Sequence, residues 1–238
     1  MSEYLLLRLE APLMSFGGVA VDNRGVEMPL PAASMIAGLL GNALGLRRQD
    51  FAELNALQSR LRFVVRMDRG GVSLTDFQTA DLSKSDHGWT TRGEVEGRDG
   101  GAGTYAGKHI RYRDFHADRS VLIALWLEPA KQEPVLAQIQ AAIREPRRPL
   151  FIGRKPCLPS SYIDAGMVDA ASARDALARQ PVGSAAPSAQ VTVFEQLPAG
   201  VASEPGDLRV SGLRVWENQV HGGEQRWRAA SIEQKDRS

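Results

Sequence analysis

Residues 120–127 read SVLIALWL. A strongly apolar run of this length reads as a buried strand. Downstream of it, Glu133–Arg144 fits a helix, with Val135, Leu136, Ile139 and Ile143 on one face. Leu150–Ile152, ending at Gly153, is a short further strand. Upstream, Tyr4–Leu9 is nearly continuous in apolar residues and Arg62–Met67 (RFVVRM) is a second strand candidate. Between these two, Met35, Ile36, Leu39, Leu40, Ala43 and Leu44 recur at helical spacing across Ser34–Leu46. Pro31 precedes that helix and Gly45 lies near its end. Gly38 and Gly41 inside it each cost about 1 kcal/mol relative to alanine, which points to close packing or close approach of another chain. The order is strand, helix, strand, a long excursion, strand, helix, strand. That is the β-α-β-β-α-β order of a ferredoxin-like fold in the α+β class.

The excursion spans Thr75–Arg119. It holds seven glycines in the twenty residues from Gly88 to Gly107. A compact domain rarely carries such a loop unless it is functional or disordered. Ser73–Ala80 and His109–Phe115 on either side suit extended chain, so a protruding hairpin with a mobile glycine-rich tip is predicted; a plain surface loop is the alternative. Beyond Pro159 the composition shifts. Val168–Ala178 is alanine-rich and predicted helical, Gln180–Pro187 reads as a linker, and Val191–Glu195, Leu208–Trp216 and Arg226–Ile232 are short strands. This C-terminal part is either a small second domain or extra strands on the first sheet. The implied division is 1–163 and 164–238.

The 238 residues carry 29 Lys and Arg against 28 Asp and Glu, for a net charge of +1. The chain is 43% hydrophobic with a single cysteine. These values exclude wholesale disorder, an internal disulfide and a cysteine-based zinc site. No run reaches roughly 18 consecutive apolar residues, and no targeting peptide is apparent, so a cytoplasmic protein with no membrane partner is expected. The near-neutral total argues against an overall basic coat but allows a local basic groove.

Two stretches offer such a groove. Residues 144–155, REPRRPLFIGRK, set five cations against one acid. Gly153 there lets backbone approach a phosphate for Arg154 and Lys155 to grip. Residues 105–119, YAGKHIRYRDFHADR, interleave four cations with Tyr105, Tyr112, Phe115, His109 and His116. Cations suit a sugar-phosphate chain and aromatic faces suit unpaired bases; a solvated charged face is the plainer alternative. Tyrosine, lysine and histidine together could also cleave RNA without metal, which keeps Lys108, His109 and Tyr112 as candidate catalytic residues. The four histidines show no metal-ligand spacing, and no nucleotide-cradling loop or serine-hydrolase motif is present. No cofactor or metal is implied.

The opening YLLLRLEAPLMSFGG, then Ser15-Phe16-Gly17, Pro31-Ala32-Ala33-Ser34 and Gly38-Leu39-Leu40-Gly41, resemble CasD-type subunits of CRISPR Cascade complexes, type I-E in particular. TDFQT (75–79), RYRDFHADRSVLIALWL (111–127) and PLFIGRKPCLP (149–159) extend the resemblance across about residues 3–163. It implies a modified ferredoxin-like fold of the RAMP superfamily, related to RRM modules, with a thumb hairpin at about 75–119. It implies a non-catalytic subunit that holds the 5′ handle of the CRISPR RNA, caps the row of CasC-type backbone subunits, and contacts the large CasA-type subunit, meeting target DNA only through the complex. By position, Ser15, Phe16, Gly17 and Ser34 face the RNA, with Lys108, His109, Arg111 and Arg113 on the thumb and Gly153, Arg154 and Lys155 in the loop. Phe16 stands where a tryptophan is common, which preserves stacking but removes an indole donor. The related type I-C subunit is itself the endonuclease that matures the RNA, so a metal-independent endoribonuclease is the alternative. A generic RRM-like RNA-binding module is a third reading.

Overall fold

The computed structural model describes residues 1–18, 23–80, 88–89, 95–96, 109–182 and 190–235. Along the chain run β1 (Ser2–Met14), β2 (Arg24–Gly25), α1 (Ala33–Leu44), α2 (Phe51–Arg60), β3 (Leu61–Arg69), β4 (Val72–Ala80), β5 (Gly88–Trp89), β6 (Val95–Glu96) and β7 (His109–Leu127). They are followed by α3 (Leu136–Arg144), β8 (Asp164–Ala170), α4 (Ala173–Ala178), β9 (Gln190–Gln196), β10 (Leu208–Val215) and β11 (Val220–Glu233). One mostly antiparallel sheet has the order β10-β11-β9-β3-β7-β1-β8, and β2 and β4 add to β7. No helix among the described residues is long and apolar enough to cross a membrane.

The apolar runs are continuous because the sheet is covered on both faces. Leu5, Leu7 and Leu9 of β1 and Val121, Ile123 and Leu125 of β7 join one core with Ile36 and Leu40 of α1, Leu54 and Leu57 of α2, and Ile139 and Ile143 of α3. The alternate residues Tyr4, Leu6, Leu122 and Ala124 join a second core with Ala173, Ala176 and Leu177 of α4. Each fully buried Leu or Ile contributes about 1.5–3 kcal/mol, so both faces stabilise the central strands. On the second face Arg66 is wholly buried. Its Nε and Nη2 pair with the Asp68 carboxylate at 2.6 and 2.9 Å, and its Nη1 donates to the Leu177 and Gln180 carbonyls at 2.5 and 2.7 Å. A guanidinium placed on carbonyls at and just beyond the C-terminal end of α4 ties that helix to β3.

Strand β7 is longer than its apolar half. Its second half pairs with β3, from Leu61↔Leu127 to Arg69↔Ser120. Its first half pairs with β4, from Val72↔Ala117 to Ala80↔His109. The two ladders meet at Gly70-Gly71. Gly71 has φ +64, and a Cβ there would lie 2.3 Å from the Ala117 carbonyl oxygen. Past that point Val72, Leu74, Phe77 and Ile110 are exposed. The arms of the anticipated hairpin therefore exist as β4 and the start of β7. Its glycine-rich tip, apart from the backbone of β5 and β6, lies outside the described residues, as does most of the Gln180–Pro187 linker.

Several elements differ from the sequence reading. Leu150–Ile152 is not a strand: Ile152 N–H donates to the Cys157 carbonyl and Ile152 O accepts from Ser15 N–H, so the segment closes into a loop. The edge beside β1 is taken by β8, which pairs from Ser2↔Ala170 to Leu7↔Asp164. Val168–Ala178 is consequently strand to Ala170 and helix only from Ala173. Helix α2 went unpredicted, because Leu54 and Leu57 are its only buried apolar side chains. Strands β9, β10 and β11 are extra strands of the first sheet, joined through β9 and β3.

The two helix glycines separate in role. A Cβ at Gly41 would come within 2.7 Å of Leu54 Cδ2, where α1 meets α2. At Gly38 it would meet only the Trp216 ring, at 3.5 Å. For Gly41→Ala, overpacking of about 1–3 kcal/mol opposes a helix-propensity gain of about 1 kcal/mol. The expected net loss is about 1 kcal/mol by urea denaturation; a stabilised variant contradicts the close approach.

Candidate nucleic-acid interface

A cleft of ≈ 570 Å³ opens where five segments meet. Ser15, Gly17, Arg24 and Gly25 come from the chain after β1, Ser34, Met35, Gly38, Leu39 and Asn42 from α1, and Arg111, Tyr112 and Arg113 from β7. Gly153 and Arg154 come from the loop after α3, and Arg214, Trp216 and His221 from the hairpin of β10 and β11. The anticipated residues Ser15, Gly17, Ser34, Arg111, Arg113, Gly153 and Arg154 thus converge from distant parts of the chain, together with Tyr112.

The floor is organised by Glu27, which the sequence reading missed. Its carboxylate accepts from Ser15 Oγ at 2.7 Å and from the Phe16 N–H, and lies 3.3 Å from Arg154 Nη2 and 3.8 Å from His116 Nε2. Its side chain is only 5% exposed. Burial raises its pKa above the ordinary value, and the bonds from Ser15 and Phe16 and the charge of Arg154 work against that shift. Backbone bonds from Gly18 N–H to Val26 O and from Met28 N–H to Phe16 O pair the two segments around it. His116 Nε2–H donates to the Met28 carbonyl at 2.8 Å, and burial, with Arg119 nearby, lowers its pKa. Burial raises the Cys157 thiol. Among the described residues no cluster of His, Cys, Asp and Glu suits a metal ion.

Three anticipated residues serve the floor rather than the opening. Phe16 is fully buried, with its ring 5.2 Å from that of His116, so it offers no free face for a base. Gly153 has φ +89 and lies so close to Ser15 that a Cβ would sit 1.8 Å from the Ser15 carbonyl oxygen. Its freedom serves contact with protein backbone rather than with a phosphate. Arg154 donates to the Asp114 carbonyl at 2.7 Å and the Gly25 carbonyl at 3.2 Å, pairs with Glu27, and lies over the Phe115 ring at 4.8 Å.

The basic stretch 144–155 is largely spoken for. Arg144 pairs with Asp164, and Arg148 donates to Asn42 Oδ1 and to the Leu46 carbonyl. Lys155 is exposed but does not line the cleft. Ser34 is buried near the start of α1, where the Ala33 N–H already meets Gln225 Oε1 at 3.4 Å. Lys108 and the side chain of His109 lie outside the described residues.

The opening is where charge is free. Arg24, Arg111 and Arg113 are exposed, and none forms an ion pair among the described residues. Arg24 lies over the Tyr112 ring at 5.5 Å, and that ring packs on Phe77 at 5.4 Å. Three cations beside two rings can bind phosphates and stack on bases. Arg24 carried no sequence signal, because it sits in an irregular connection and is placed only by pairing opposite Tyr112. Arg214 and His221 were equally invisible; the register of the β10–β11 hairpin alone sets them side by side.

The sheet, the long hairpin arms and this cleft define a mixed α and β protein with a groove suited to a polyanion. The family model described as CRISPR-associated protein (Cas_Cas5) matches residues 4–228. The chain belongs to this family of CRISPR-associated proteins. It is 29% identical over 185 residues to the "CRISPR system Cascade subunit CasD" of Escherichia coli (strain K12), covering 77% of this chain and 80% of that one. Among solved structures, a chain of a "CRISPR RNA-guided surveillance complex" matches with a TM-score of 0.69 at 23% identity, over 97% of this chain and 90% of the other. A "Crystal structure of Cas protein" matches with a TM-score of 0.60 at 26% identity, over 98% and 95%.

Proposed function

We propose that the chain is a non-catalytic subunit of a type I CRISPR Cascade complex, acting in the cytoplasm, and that its cleft holds the 5′ handle of the CRISPR RNA. The observation that carries this reading is the trio Arg24, Arg111 and Arg113, without an ion pair among the described residues, beside Tyr112 at the mouth of the cleft. Family membership and the CasD relative support it. The order β8-β1-β7-β3, with helices in both crossovers, supports a ferredoxin-like core. The hairpin arms β4 and β7, with Phe77, Leu74 and Ile110 exposed, suit a thumb that meets the CasC-type row and the CasA-type subunit. Ser15, Phe16, Gly153 and Arg154 hold the floor in shape, while Arg24, Arg111, Tyr112 and Arg113 touch the RNA.

The test is fluorescence anisotropy with a labelled handle oligoribonucleotide. Replacing Arg111 and Arg113 together by alanine is expected to weaken binding by about tenfold or more, since a charged hydrogen bond contributes about 1.5–3 kcal/mol. The slope of log affinity against log salt should flatten by about 0.7 for each phosphate that the variant no longer grips. Unchanged affinity and slope sink this assignment. Repeat RNA incubated with the protein is expected to stay intact; cleavage abolished by His109→Ala establishes the endoribonuclease instead.

A further inference from the structure

Among the described residues five buried side-chain polar atoms lack a hydrogen-bond partner: Arg214 Nε, Trp216 Nε1, His221 Nδ1, Trp227 Nε1 and Gln234 Oε1. Such atoms are rare in native proteins, and each asks for an explanation. Three of the five belong to residues on one wall of the cleft, at its C-terminal side. That wall is firmly held. Gln58 of α2 donates to the Arg214 carbonyl at 3.0 Å and accepts from the Arg214 N–H at 3.2 Å. Asn55 bonds Glu217 at 2.7 Å, and Arg48 bonds Gln219 at 2.9 Å.

The chemistry of the wall selects its ligand. The Arg214 guanidinium lies over the Trp216 ring at 5.3 Å and, among the described residues, donates once, from Nη2 to the Gln219 carbonyl at 3.2 Å. No carboxylate pairs with it among the described residues, and the charge that acts on it is that of Arg48, also a cation. Trp216 is 7% exposed and its indole N–H can only donate. Arg214 and His221 are cross-strand partners, so the imidazole joins the same spot. A half-buried guanidinium without a counter-charge, beside a donor-only indole, calls for an anionic acceptor with several oxygens.

We propose that Arg214, Trp216 and His221 form a phosphate subsite that receives one phosphodiester of the bound RNA, separate from those met by Arg24, Arg111 and Arg113. The RNA as its source rests on the handle reading above. The C-terminal hairpin then closes the cleft opposite the thumb, and the RNA runs between two cationic walls.

The test follows the indole and arginine Nε–H signals of the uniformly ¹⁵N-labelled full chain by nuclear magnetic resonance, with Trp216 assigned through Trp216→Phe. Inorganic phosphate and a short unstructured oligoribonucleotide are added separately. Both are expected to move the Trp216 and Arg214 signals in a saturable way. Arg214→Gln should abolish the response to phosphate, weaken RNA binding several-fold and lower its salt slope by about 0.7. If Arg214→Gln does not fold, Trp216→Phe keeps the ring and removes the donor, and a several-fold loss of RNA affinity is expected from it. Signals that stay still with both probes while Tyr112 responds to RNA overturn the subsite and leave the handle reading standing. Signals that move with phosphate but never with RNA overturn the subsite as an RNA contact, and the handle reading falls with it only if Tyr112 also fails to respond to RNA.

Discussion

Gly153→Ala is expected to lower the melting temperature by roughly 8–16 °C, the largest drop of any methyl-sized change around the cleft. The methyl would sit 1.8 Å from the Ser15 carbonyl oxygen and 2.8 Å from its carbon, so backbone rather than a side-chain end must yield. The φ of +89 adds strain for any residue with a Cβ, about 1–2 kcal/mol. Relief moves the loop away from β1 and breaks the bond from Ser15 N–H to Ile152 O, which contributes about 1 kcal/mol. With about 1–3 kcal/mol for overpacking the total is near 4 kcal/mol. For a chain of this size each kcal/mol shifts the midpoint by about 2–4 °C. Gly166→Ala is the control: its φ is +104, but a Cβ there meets nothing within 4 Å. It should show the conformational strain alone, about 1–2 kcal/mol. Equal melting shifts for the two variants contradict the close approach of Gly153 to Ser15. Because Arg154 follows directly, Gly153→Ala should also weaken RNA binding by releasing the floor.

The same glycine shows how far the sequence can be read. A basic stretch around a glycine suggested a phosphate grip, and Gly153 does belong to the cleft. Its neighbour, however, is Ser15, far away in sequence and brought close by a loop that forms no strand of its own. The central strands were legible because SVLIALWL and YLLLRL bury both faces and need no partner to be recognised. β7 was read as two pieces because its first half, HIRYRDFHADR, alternates charged with apolar side chains and passes from the end of β1 onto β2 and β4. α2 and β8 carry too few apolar residues to reveal their period, and tertiary pairing decides them. Arg111, Tyr112 and Arg113 could be found because cations and aromatics alternate there. Glu27 could not: one acid in an irregular connection gives no sign that three groups will close on it.

Glu27→Ala is expected to cost about 3–5 kcal/mol, because it leaves Arg154, Ser15 Oγ and the Phe16 N–H without their shared acceptor in a site nearly closed to water. Glu27→Gln isolates the charge. The shape is kept and one acceptor oxygen remains, but the amide cannot ionise. Burial raises the native pKa of Glu27 above its ordinary 4.5. Between those two values the folded chain binds more protons than the unfolded one. The contribution from that uptake is complete below the unfolded value and is lost as pH rises through the native one. The stability of the natural protein relative to Glu27→Gln should therefore fall as pH climbs from about 4 and level off above the native pKa. Melting curves across that range read the difference directly. The acids held below their ordinary range, such as Asp207, titrate alike in both proteins and cancel in it. A difference that rises with pH, or stays flat, means that Glu27 is not the buried carboxylate on which Ser15, Phe16 and Arg154 converge.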